Sequence, residues 1–192
     1  MNDVDALKTL IRQAFADVSY PGDGNLVPHG KYHDEYTLTK EAFLGLDNWQ
    51  TLEPAFLDNP LNGWGHSIFY FSPEAFRFYI PAYLLADLDK QFERVQPEFS
   101  LCFGLTDADQ AKPTSRKTRQ ESRKRGGQTQ FEIRSQRFAD FTPVQVDAVV
   151  AYLRYKLKEL SSDDPTRQLI TQALQSYWLN HTSATGINEW NS

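Results

Sequence analysis

The 192-residue sequence contains one cysteine, Cys102, and one methionine. A lone thiol cannot close an internal disulfide, so no covalent staple holds the chain, and secreted scaffolds built on disulfide frameworks are excluded. Cys102 lies in the apolar stretch Phe99-Ser100-Leu101-Cys102-Phe103, where a small buried hydrophobe is the expected role. Also lacking is an uninterrupted hydrophobic run. The most apolar stretch, Ile68 to Ala86, approaches the length of a bilayer span, but Pro73, Glu74, Arg77 and Pro81 fall inside it, and a soluble core takes it more cheaply than lipid. No membrane partner is expected. Asp3 and Asp5 stand where a secretory signal would place basic residues before an apolar centre, which points to a cytoplasmic protein. Neither Gly22-Asp23-Gly24 nor Gly126-Gly127 has the strand–turn–helix context of a phosphate-cradling loop, and there is no Gly-x-Ser-x-Gly elbow. The pattern calls for no cofactor and leans away from an enzyme.

What the chain does have is core material. Hydrophobic residues make up 40% of it and aromatic ones 14%, and folding a chain of this size removes about 70% of the surface exposed when unfolded. Apolar residues at three- and four-residue spacing predict a first helix through Leu7, Leu10, Ile11, Ala14, Phe15 and Val18, capped by Asp3. It stops at Tyr20-Pro21-Gly22-Asp23-Gly24, a turn composition. A weaker helical pattern runs from Thr37 to Leu46, with a helical turn around Thr51 to Leu57.

Ser72-Pro73-Glu74 is the strongest start signal: a hydroxyl to accept a free backbone N–H, a proline where its missing donor is harmless, and a carboxylate at the positive helix end. The helix it opens buries Phe76, Ile80, Tyr83, Leu84 and Leu88, with Pro81 kinking it. Thr142-Pro143-Val144-Gln145 reads as a capping box, and Asp164-Pro165 opens a last helix carrying Leu169, Ile170, Ala173, Leu174, Tyr177 and Trp178. Phe99 to Leu105 and Phe131 to Phe138 partly alternate and are expected to pair as a small hairpin. The expectation is a mainly α (α+β) single domain over residues 1–180, with five to six helices around a central proline-kinked aromatic helix. A mobile basic loop at 111–128 and a frayed tail at 181–192 complete it.

Three stretches carry a resemblance: Tyr20-Pro21-Gly22-Asp23; Phe71-Ser72-Pro73-Glu74-Ala75-Phe76-Arg77-Phe78-Tyr79-Ile80-Pro81-Ala82-Tyr83-Leu84-Leu85-Ala86; and Phe138-Ala139-Asp140-Phe141-Thr142-Pro143 with Tyr152-Leu153-Arg154-Tyr155. Together they resemble a family of uncharacterised bacterial proteins over roughly residues 5 to 180. Members of that family often carry a Cys-x-x-Cys pair where this chain has His33-Asp34-Glu35-Tyr36. The resemblance therefore implies neither a thiolate metal site nor an activity here.

Groups able to bind metal or move protons concentrate at Asp23, His29, His33, Asp34 and Glu35. His29 and His33 are four apart and would share a face of a helix, so His29, His33 and Asp34 are the metal candidates. Pro28 and Gly30 argue against a helix there, and a solvated loop is the plainer reading. His33, Glu35 and His66 are the acid–base candidates; His66 stands just before the apolar run and is as readily a hydrogen-bonded core residue. A basic segment, Lys112, Arg116, Lys117, Arg119, Arg123, Lys124 and Arg125 against Glu121, carries +6 and leaves −11 on the rest of the chain. It could contact phosphates, but no aromatic accompanies it from Ala111 to Gln130, which disfavours nucleic acid and favours a solvated loop. The acidic body and abundant aromatics point first to a protein-interaction module, immunity- or adaptor-like. A small metal-dependent or acid–base enzyme is the alternative, and nucleic-acid contact through the basic loop the third reading.

Overall fold

A computed structural model describes residues 3–30, 33–60, 66–111 and 128–182. Among them are nine α-helices and no β-strand. Their contacts gather into two compact units that divide between Ser100 and Leu101. None of the helices is long and apolar enough to cross a membrane.

In the first unit, α1 (Asp3–Ala14) sets Asp3 and Asp5 in its first turn and Arg12 in its last, complementing the helix dipole at both ends. Its stripe of Leu7 and Ile11, continued by Phe15 just past the helix, is buried and packs on α4 (Pro73–Leu88). Between them lie α2 (Asp34–Phe43) and the one-turn α3 (Pro54–Leu57). α2 starts three residues earlier than the apolar pattern predicts; His33 holds the N-cap position without a side-chain cap bond, and Asp34 and Glu35 occupy the first turn, where carboxylates suit the positive helix end.

α4 is the buried centre of this unit. Phe76, Tyr79, Tyr83 and Leu84 are fully enclosed, and an aromatic cluster gathers on the helix: Phe43 meets Phe71 and Tyr79 at 4.8 and 4.9 Å, and Phe71 stacks on Tyr79 at 5.1 Å. Its start is the device expected from the sequence. The Ala75 N–H donates to Ser72 Oγ at 3.0 Å, and Pro73 takes the first helical position. The helix runs unbroken through Pro81, although proline has no N–H for the carbonyl of Arg77.

α5 (Pro97–Cys102) carries the dividing point. The second unit continues with α6 (Asp107–Ala111), α7 (Gln130–Ser135), α8 (Pro143–Glu159) and α9 (Pro165–Ser176). Val149, Tyr152 and Leu153 of α8, Ile170 and Ala173 of α9, and Trp178 beyond it form its core. Trp178 packs against Phe138 at 4.8 Å and donates its indole N–H to the Leu101 carbonyl at 3.1 Å. Thr142 and Gln145 make both bonds of the capping box, and Asp164 accepts from the Thr166 N–H at 2.8 Å. Arg167 reaches back to the carbonyls of Leu157 and Leu160, satisfying the open end of α8.

The expected hairpin is absent. Phe99 to Leu105 and Phe131 to Phe138 are helical over most of their length, in α5 and in α7 with the turn after it. Pro97 supplies a fixed φ at the head of α5. Thr129 and Glu132 form a complete capping box that opens α7. The short alternation of apolar residues in both segments was outweighed by these local start signals. The expected basic loop and most of the C-terminal tail lie outside the described residues.

Two substitutions test this account. Ser72→Ala removes the cap of the buried helix and should cost about 1–2 kcal/mol in denaturant unfolding. The Tyr83 hydroxyl is buried with no partner among the described residues, so Tyr83→Phe should be neutral or stabilising by about 1 kcal/mol in the same assay.

Candidate functional site

The histidines and carboxylates singled out by the sequence fall in two places within the first unit. The first is a cleft between α2 and the preceding turn segment. Residues Tyr36, Thr37, Lys40 and Glu41 of α2, with Leu44 just past its end, recur at helical spacing and face Gly24, Val27, Pro28, His29 and Gly30 across a cavity of about 500 Å³. His29 is exposed on its wall, while His33, Asp34 and Glu35 sit at the α2 N-terminus beside it. The His33 and Tyr36 rings are 6.3 Å apart, and Tyr36 meets Tyr70 edge-on at 5.3 Å. Burial, then the charge of Glu35, raises the Tyr70 hydroxyl above its ordinary pKa.

The wall opposite α2 is fixed by Asp23. Its Oδ1 accepts from the Tyr20 hydroxyl at 2.5 Å and from the Gly45 N–H at 2.9 Å. Those two bonds, the Tyr20 hydroxyl first, hold the Asp23 carboxyl below its usual range. Burial, followed by the bond to and charge of Asp23, pushes the Tyr20 hydroxyl up to about 12. At Gly45 the chain turns with φ of 72°, which suits glycine and lets its N–H point back at Asp23.

The second place is a corner built on Asp58, which ends α3. Its carboxylate accepts three consecutive backbone N–H groups: Glu93 at 3.0 Å, Arg94 at 3.1 Å and Val95 at 2.8 Å. Partial burial alone would raise this carboxyl, but the three donors, helped by the charge of His66, hold it below its ordinary value. An open cleft of about 630 Å³ lies alongside, lined by Glu53, Asp58, Glu93 and Arg94 among others. His66 is half-buried; its Nδ1 is shielded from solvent and has no hydrogen-bond partner among the described residues. Burial lowers its pKa, opposed by Asp58 and assisted by Arg94.

The three histidines singled out are thus divided: His29 lines the α2 cleft, His33 stands at the α2 N-terminus with its ring 6.3 Å from that of Tyr36, and the charged neighbours of His66 are Asp58 and Arg94. Among the described residues no three His, Cys, Asp or Glu side chains converge as a metal site would require. Lys112, Arg116, Lys117, Arg119, Arg123, Lys124 and Arg125 lie outside the described residues. Sequence reasoning passed over Asp58, Lys40 and Leu44. The available signal for Leu44 was its position off the buried stripe of α2, where Thr39 and Phe43 point inward. Asp58 gave no such signal, because its three donors are 35 to 37 residues away.

The corner predicts a pH dependence. His66 has a folded pKa below its ordinary 6.5, so its stabilising contribution is complete above that pH and is lost as pH falls through the folded value. Asp58, folded below its ordinary 3.8, contributes above that pH and is lost at still lower pH. His66→Gln should therefore flatten the decline of unfolding midpoint that begins below pH 6.5. Asp58→Asn should cost about 1–2 kcal/mol and speed amide exchange at residues 93–95.

No curated protein and no solved structure matches the chain. Residues 3–182 match a family of unknown function, DUF6714. The match spans both units, from the start of α1 to the turn after Trp178, and on that evidence the chain belongs to this family.

Proposed function

We propose that this chain is a cytoplasmic bacterial interaction protein, immunity- or adaptor-like, whose first unit receives a basic partner protein. One observation carries the reading: charge is divided between the two units. Residues 1–100 hold fifteen Asp and Glu against seven Lys and Arg, a balance of −8, whereas residues 101–192 hold ten against thirteen, a balance of +3. Eleven of the fifteen carboxylates in the first unit are exposed. Such a field raises the encounter rate of a cationic protein and repels acidic competitors, and its effect falls with salt because charges separated by more than about 8 Å are screened at physiological ionic strength.

Its α2 cleft adds what charge alone lacks. Val27, Pro28, Tyr36 and Leu44 line it together with Thr37, Lys40 and Glu41, and such a mixture suits a protein-binding surface, in which a few well-packed anchors supply most of the affinity.

The test is affinity capture of the full chain from its native cell at low and high salt. The expected result is a stoichiometric basic protein, released as salt rises and encoded beside this gene. Recovery of no stoichiometric partner would count against the reading.

A further inference from the structure

We propose that the cleft between α2 and residues 24–30 is the docking site for a basic amphipathic helix of a partner protein, an inference that rests on the interaction reading above. Tyr36, Lys40 and Leu44 are four apart, so they rise as one row, and Val27 and Pro28 face them. The apolar members of this set are Val27, Pro28 and Tyr36, each partly exposed, and Leu44, which is 50% exposed. Large apolar side chains are exposed at Phe99, Phe103 and Val144 as well. Phe99 rests against the Phe69 ring and Phe103 lies under the Arg134 guanidinium, while Leu44 opens into a cleft. It lines that cleft together with Val27, Pro28 and Tyr36, and apolar residues grouped at one cleft mark a binding surface where a solitary one does not.

Charge selects the occupant. The segments that form the cleft, residues 23–44, carry Asp23, Asp34, Glu35 and Glu41 against Lys31 and Lys40, a balance of −2 within a unit of −8; of these, Lys40 and Glu41 line the cleft itself. An acidic helix is disfavoured by this surround, whereas lysines flanking an apolar stripe are complementary to it. The cleft is also set in advance. Asp23, on one wall, accepts the N–H of Gly45 at the end of the other at 2.9 Å, so little ordering remains to be done on binding. A cavity of about 500 Å³ takes a leucine-sized side chain and its helical neighbour, the spacing by which a helix is read in a groove.

The probe is a synthetic helical peptide of leucine and lysine alone, with leucines three and four apart, titrated into the isotope-labelled full chain and followed by amide chemical shifts. Expected are shifts centred on Val27, Tyr36, Lys40 and Leu44, weakened by salt, and no binding when glutamate replaces lysine in the peptide. Leu44→Ser should weaken binding about tenfold with the thermal midpoint nearly unchanged, since that side chain stands half in water. Thr37→Glu, on the exposed rim, should tighten it severalfold and serves if Leu44→Ser does not fold. Shifts centred elsewhere on the first unit, equal binding of the glutamate peptide, or no binding at all would overturn the cleft assignment. Those outcomes leave the interaction reading standing, because that reading falls only with the capture experiment.

Discussion

Four hydrogen bonds meet at Ser72, one of them made by its carbonyl, which accepts the Phe76 N–H at 2.8 Å, and the first unit is organised around them. Its Oγ accepts the Ala75 N–H at 3.0 Å and donates to the Asn25 carbonyl at 2.5 Å, while its own N–H donates to the Leu26 carbonyl at 3.0 Å. One small residue therefore starts the buried helix and anchors the turn segment to its head. From there the constraint spreads: Asn25 donates to the Pro21 carbonyl through its side chain and to the Gly22 carbonyl through its backbone, and Asp23 fixes the end of α2. Two of the stretches by which the family resemblance is recognised, Tyr20-Pro21-Gly22-Asp23 and the one around Ser72, are thus parts of one hydrogen-bonded knot. Their chemistry is accounted for by holding backbone together, and the polar groups left over lie on the clefts beside it.

Where a structural choice depended on neighbouring residues, it was legible in the sequence. Ser72-Pro73, Thr142-Pro143 and Asp164-Pro165 each open the helix their spacing announces, because the cap and the groups it satisfies lie within three residues. The same kind of signal existed at Thr129-x-x-Glu132 and contradicted the strand expected there; a short alternation of apolar residues is weaker evidence than a reciprocal cap. Long-range choices were not legible. The carboxylate of Asp58 and its backbone donors meet only in three dimensions, as do Asp23 and Gly45. The division into two units also left no trace, since it falls inside α5, where no Pro/Gly/Ser-rich linker announces it.

The candidate site shows the same limit from the functional side. Histidine and carboxylate composition drew attention to residues 29–35, and the α2 cleft does lie there. What distinguishes the place, though, is an arrangement of ordinary residues: two apolar positions on a turn, a tyrosine and a leucine two helical turns apart, and a lysine between them. Residue type alone favours rare, reactive side chains, whereas a surface for another protein is built from common ones whose positions carry the information.

Each unit encloses an indole of its own: Trp49 is 4% exposed in the first and Trp178 is 0% exposed in the second. Replacing the two remaining tryptophans, Trp64 and Trp190, would leave a chain whose ultraviolet emission reports on both interiors, and removing one further indole would leave a spectroscopic label in a single unit. The molecule thus contains, without added dyes, the means to ask whether its halves unfold as one cooperative body or in separate steps.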